Sequence, residues 1–195
     1  MTESRDVRTR ILESAEARFR RFGFGKTTMA EIAGDVRMSA GNLYRYFENK
    51  EEIGAVIATR CLTNVEEAGR KVAHAPDLAA DERLTLFFLT AMRVLHDYAF
   101  NQATIHELVA FVSHKRWDIV DRHMQAIHAL IADILAQGND NGAFDIADVP
   151  TMAWTVKAAC KGFLYPPLVA SCTLEELETQ VRQVCALLVR GLARR

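Results

Sequence analysis

The sequence predicts an all-α protein in which an N-terminal three-helix helix-turn-helix domain is joined by a long helix to a larger helical domain. Three observations carry this. Apolar residues recur at steps of three and four along nearly the whole chain and seldom alternate at the strand period. Hydroxyl or carboxylate residues stand where most of those stripes begin, as helix caps do. The four prolines fall near the ends of such stripes. A chain of 195 residues, half of them hydrophobic, has enough material for a small domain over residues 1–50 and a larger one over 51–195.

Residues 4–23 form the first amphipathic helix, with Ile11, Ala15, Phe19 and Phe22 on one stripe, arginines among the polar positions and Gly23 at its end. A short helix follows, opened by Thr27 or Thr28 and burying Met29, Ile32, Ala33 and Val36. A second short helix is capped by Ser39 and buries Leu43, Phe47 and part of Tyr46. Too few residues separate the two for anything but a tight turn, which makes a helix-turn-helix. Ala40, Gly41, Asn42, Tyr44 and Arg45 are left pointing outward at the start of the second helix. Small residues let a duplex backbone come close, Asn42 suits a base edge, and Tyr44, Arg45 and Tyr46 reach phosphates or thymine methyls.

These residues resemble the signature of the TetR family of bacterial transcriptional regulators: Thr28, Ile32-Ala33, Ser39, Gly41, Leu43-Tyr44, Tyr46-Phe47 and Lys50 stand at the family's spacing. One position departs. Where the family commonly has Ala-Gly-Val in the turn, this chain has Val36-Arg37-Met38, so either Arg37 accepts a left-handed conformation or the turn differs. The resemblance implies contact of Lys50 with phosphate. The duplex-facing set expected from motif and resemblance together is Thr27, Thr28, Ser39, Ala40, Gly41, Asn42, Tyr44, Arg45, Tyr46 and Lys50.

Asn49 with Glu52 opens the long connecting helix, which carries Ile53, Val56, Ile57 and Cys61 onward until Ala75-Pro76-Asp77. Helices are expected from about Asp81 to Tyr98, from Gln102 to Val112, and from Lys115 to Gln137, before the Gly138–Gly142 run. Asp148 caps the next, with Pro150 in its first turn, and Pro166-Pro167 stops it. Thr173 and Glu176 make a capping box for the last, whose stripe is Leu177, Val181, Val184, Leu188 and Leu192.

Net charge is −1, with 11 Lys or Arg against 9 Asp or Glu in residues 1–60, so phosphate contacts would rest on local placement and not on a broad basic field. Four cysteines without paired short spacing suggest neither zinc nor a disulfide framework, and no cofactor or metal is expected. No targeting signal or membrane-spanning run is visible, which places the chain in the cytoplasm by expectation.

The resemblance implies that the larger domain forms a homodimer through its last two helices and holds a small-molecule effector. Dimerisation also has a physical motive, because two recognition helices about one DNA turn apart combine their contacts on a palindromic operator. The last-helix stripe and Ala153, Val156 and Ala159 suit that interface, or else face their own core. Phe88, Met92, His96, Phe111, Trp117, Met124, Trp154 and Phe163 are candidate walls for an apolar or aromatic effector, or else ordinary core. The function expected is a sequence-specific regulator, a repressor by the usual outcome of the family, whose operator affinity falls when the effector binds. The competing reading is a helical protein-interaction module without DNA binding. No catalytic arrangement is visible, and His123 and His128 are wrongly spaced to share a metal on one helix face.

Overall fold

A computed structural model describes residues 2–98 and 102–194, with side chains from Asp6 to Tyr98 and from His106 to Arg194. Among the described residues the regular structure is helical, apart from one isolated antiparallel bridge between Phe144 and Ala193. In order the helices are α1 (Thr2–Phe22), α2 (Met29–Asp35), α3 (Ala40–Leu43), α4 (Lys50–Ala73), α5 (Ala80–Tyr98), α6 (Gln102–Lys115), α7 (Trp117–Asp140), α8 (Val149–Ala159), a 3₁₀ turn (Lys161–Leu164), α9 (Pro166–Val169) and α10 (Leu174–Leu192). They fall into two compact units, one of Met1–Cys61 with Phe100–Val120, the other of Leu62–Ala99 with Asp121–Arg195. The boundary expected at residues 50 and 51 lies in the first turn of α4. The units part further along that helix, and the first takes in α6 from later in the chain.

In the first unit Ile11, Ala15 and Phe19 of α1 close over Met29, Ile32 and Ala33 of α2 and Leu43 of α3. Phe22, expected on the same stripe, is instead 45% exposed under the guanidinium groups of Arg18 and Arg21. The reason is the turn: α1 ends there, Gly23 takes a φ of 94°, and the chain sends Phe24 into the core in its place. Phe24 meets Phe19 edge-on and Phe111 of α6 face-on, each at 5.1 Å between centroids.

The α2–α3 turn resolves the question posed by Arg37. Met38 N donates to Ala33 O and Arg37 N to Gly34 O, the bond pair of a Schellman motif, and Arg37 occupies its left-handed position with φ 56°. The second motif helix is shorter than expected. Regular α geometry ends at Leu43, and Tyr44 to Phe47 continue it with mixed three- and four-residue bonds. At the start of α4, Asn49 accepts from Glu52 N at 2.7 Å, but Glu52 returns its bond to Glu48 N, one residue before the cap.

In the second unit α5 is buried on most of its circumference, with Leu84, Phe87, Phe88, Ala91 and Met92 fully enclosed. Helix α10 lies against it, as do the 3₁₀ turn and α9. The single helix expected between Asp148 and Pro166 is broken: α8 ends at Ala159, Cys160 leaves helical geometry, and the 3₁₀ turn carries Phe163 into the core. Helix α7 overruns its expected end because Gly138 does not stop it. The Phe144 ring rests on Gly138, where a Cβ would stand 2.1 Å away. No helix among the described residues is long and apolar enough to cross a membrane.

Candidate functional site

Short helices need outside help to hold their register, and in the first unit caps and ion pairs supply it. Thr28 caps α2 in a complete capping box with Glu31, whose carboxyl is held below its usual value by the Thr28 hydroxyl and amide. Arg18 of α1 forks onto Asp35 at 2.7 and 3.2 Å and holds that carboxyl low as well. Ser39 Oγ accepts from Asn42 N at 3.2 Å and caps α3. Arg8 secures the far end: its guanidinium lies 4.0 Å over the Phe47 ring, donates to Tyr46 O and pairs with Glu52.

Buried Leu43 and Phe47 thus anchor α3 by one face. On the other, Ser39, Gly41, Tyr44 and Arg45 are exposed, while Ala40, Asn42 and Tyr46 are half-buried. A Cβ built on Gly41 meets no atom of the chain within 4 Å, so the fold itself makes no demand for glycine there. The missing side chain opens space outward, as close approach of a partner's backbone requires. Arg37 is also exposed beside Ser39. Sequence reasoning weighed it only as a turn residue, though its charge next to an outward helix start is itself a signal.

Two expected members are placed differently. Thr27 is 1% exposed, and its hydroxyl donates to Gly23 O at 2.8 Å, so it belongs to the core and presents nothing outward. Lys50 turns its ammonium onto Phe24 O at 2.8 Å and Gly25 O at 3.2 Å, with the Phe24 ring 4.8 Å away.

The expected effector walls are divided between the two units. Phe111 packs in the first unit on Phe24, and Trp117, also of that unit, is 56% exposed. Phe88, Met92 and Phe163 are buried in the second unit, while His96 and Met124 are half-buried there. Trp154 is 41% exposed, stacked on His128 at 4.3 Å with the Lys157 ammonium 3.8 Å from its ring. An open groove of about 420 Å³ on α4 and α5 is lined by Asn64, Glu67, Ala68, Lys71, Val72 and Thr90, none of them expected. Sequence reasoning also missed a buried polar pair: His123 Nδ1 lies 2.7 Å from Glu66 Oε1, 57 residues apart. Burial pushes His123 below its usual value, and Glu66 opposes that.

The faces expected for dimerisation divide. Ala153 and Val156, like Leu177, Val181 and Leu192, are buried in their own chain's core. Outward on α8 are Trp154, Thr155, Ala158 and Ala159, and on α10 Ala186 and Leu187, the last 71% exposed.

Residues 11–55 match the family described as bacterial regulatory proteins, tetR family, and residues 80–185 match the tetracyclin repressor-like C-terminal domain. The uncharacterized HTH-type transcriptional regulator YhgD of Bacillus subtilis is 25% identical over 153 residues, which are 77% of this chain and 78% of its own. Among solved structures, the TetR family transcriptional regulator PfmR from Thermus thermophilus aligns over 95% of this chain and 97% of its own, with a TM-score of 0.65 and 25% identity. A transcriptional regulator of the TetR/AcrR family from Thermobifida fusca aligns over 97% and 100%, with a TM-score of 0.72 and 20% identity.

Proposed function

The chain belongs to the TetR family of bacterial regulatory proteins, and from that premise we propose that it represses transcription as a homodimer whose affinity for a palindromic operator falls when a small apolar or aromatic molecule binds the second unit. Members of this family are transcriptional regulators and not enzymes. The observation that carries the proposal is the outward face of α3. Ser39, Gly41, Tyr44 and Arg45 stand exposed on a helix locked from beneath by Leu43 and Phe47, with open space above Gly41. In this reading Ala40, Gly41 and Asn42 enter the major groove, and Ser39, Tyr44, Arg45, Tyr46 and Thr28 meet phosphate and base edges. Arg37 joins them as a phosphate contact.

A second copy would cover the outward residues of α8 and α10, where an exposed tryptophan and leucine flank small residues that permit close helix approach. Two α3 helices roughly 34 Å apart would then face successive major grooves. Effector and operator would oppose each other reciprocally, with a coupling of roughly 1–3 kcal/mol.

Selection of binding sites from a pool of random duplexes, repeated at several salt concentrations, tests this. The expected result is a palindromic motif with half-sites about one helical turn apart, and an Arg45→Ala protein that binds it with a loss of about 1–3 kcal/mol. Recovery of no motif, with binding that vanishes as salt rises, would overturn the reading in favour of a protein-interaction module.

A further inference from the structure

Helix α6 enters the first unit from a stretch of chain well beyond the motif, packs Leu108 and Phe111 against its core, and takes hold of the α1–α2 turn. Glu107 Oε2 accepts from Gly25 N at 2.7 Å. The same carboxylate lies over Gly23, where a Cβ would stand 3.0 Å from Oε2, and Gly23 has the positive φ that the turn needs. One helical turn further along α6, Phe111 stacks on Phe24. Lys50 at the start of α4 donates to Phe24 O and Gly25 O. The Gly25 residue is therefore bracketed, its amide by an anion from α6 and its carbonyl by a cation from α4. Charge-assisted bonds of this kind are short and directional.

The bracket bears on the motif through the residues directly after Gly25. Thr27 ties back to Gly23 O, and Thr28 caps α2, whose far end runs through the Arg37 turn into α3. Between the clamped peptide and the helix-turn-helix there is no slack segment, so a displacement at Gly25 is carried to α2. α4 and α6 are also the segments by which the chain leaves the unit at Cys61 and re-enters it.

We propose that Glu107 and Lys50 are positioning residues for the reading head: together they hold the Gly25 peptide, and through it they set where α2 and α3 stand for a duplex. This rests on the DNA-binding reading above. It also assigns Lys50 to the turn and not to phosphate.

The test uses the full-length protein and a duplex selected by it from the random pool. In Glu107→Ala, exchange of the Gly25 amide should quicken by roughly tenfold and duplex affinity should fall by roughly tenfold, with the thermal transition retained. Glu107→Gln keeps an acceptor oxygen and should restore both. Lys50→Met should weaken duplex binding without changing its salt dependence, whereas loss of a phosphate contact lowers the slope of log K against log salt by about 0.9.

The proposal is overturned if Glu107→Ala binds the duplex within about twofold of wild type, if Glu107→Gln is as weak as Glu107→Ala, or if Lys50→Met shows the lowered salt slope. A wild-type protein that selects no motif defeats the DNA-binding reading before any variant is compared. Faster Gly25 exchange in Glu107→Ala would in that case mark a structural contact only, and the positioning role falls with the reading.

Discussion

The two units are held together by different means. In the first, helices of four and seven residues are pinned by side chains reaching across elements: Arg8 to Tyr46 and Glu52, Arg18 to Asp35 and Glu31, Glu107 to Gly25. In the second, helices of 19 residues such as α5 and α10 bury long apolar faces. Its cross-element polar links include Arg83 to Gln137, Arg93 to Glu178 and His123 to Glu66. A helix of one or two turns has too few apolar contacts to hold its own register, so each cap and ion pair must come from a particular residue at a particular place. A long helix spreads its stabilisation over many interchangeable apolar contacts. Particular residues make a motif; interchangeable ones do not.

The contrast can be broken most directly at Leu43, which is fully buried beneath α3. Leu43→Ala should cost about 2–5 kcal/mol, and segment-resolved hydrogen exchange should show α2 and α3 losing protection before α5 and α10. Simultaneous loss across all four helices would mean that the units do not unfold separately.

A smaller effect is expected at the cap. Thr28→Ala removes the acceptor for Glu31 N and should destabilise the first unit by about 1 kcal/mol in a denaturant titration. A change of similar size at Thr173, the capping-box residue of α10, should be harder to detect, because α10 is also held by Leu177, Val181, Cys185 and Leu192.

Arg37→Gly runs the other way. Relief of the left-handed arginine should stabilise the turn, offset in part by the freer unfolded chain, for a net gain of roughly 0.5–1 kcal/mol. The same variant removes an exposed cation beside Ser39. Raised stability together with weaker duplex binding would separate the turn role of Arg37 from its proposed phosphate contact.

The smallest effect is in pH, and it should distinguish the units by window. The folded value of His123 is depressed below 6.5 by burial, so the unfolded chain takes up a proton that the folded one refuses. The stability this residue contributes is present above about 6.5 and is lost as pH falls toward its folded value. In the first unit, Asp35 and Glu31 are depressed carboxyls with ordinary values of 3.8 and 4.5, so their contribution is lost only as pH falls below those. Fluorescence of Trp154 monitored through an acid titration should change in the mildly acidic range, and His123→Gln should flatten that step. An unaltered step in the variant would assign it to another group.

How far the residues could be read in advance obeys the same division. Thr28, Ser39 and Asn49 announce helix starts by their own chemistry, and the fall of apolar residues at three- and four-residue steps marks the helices wherever they are amphipathic. The buried face of α3 was legible because Leu43 and Phe47 alternate with residues suited to solvent. Phe22 and Thr27 were misplaced because both sit at a reversal, where Gly23 rather than side-chain type decides which residue turns inward. The break at Cys160 was hidden because no glycine or proline marks it.

The sequence by itself determined the all-helical class, the motif, the caps at Thr28, Ser39, Asp148 and Thr173 and the succession of long helices, because each arises from interactions within a few residues along the chain. Tertiary structure alone decided which face of α8 and α10 is core, that Phe111 stacks on Phe24, and that Glu107 and Lys50 meet at Gly25. Those outcomes depend on contacts between residues dozens of positions apart, and an apolar stripe carries no label saying which of several apolar partners it will meet.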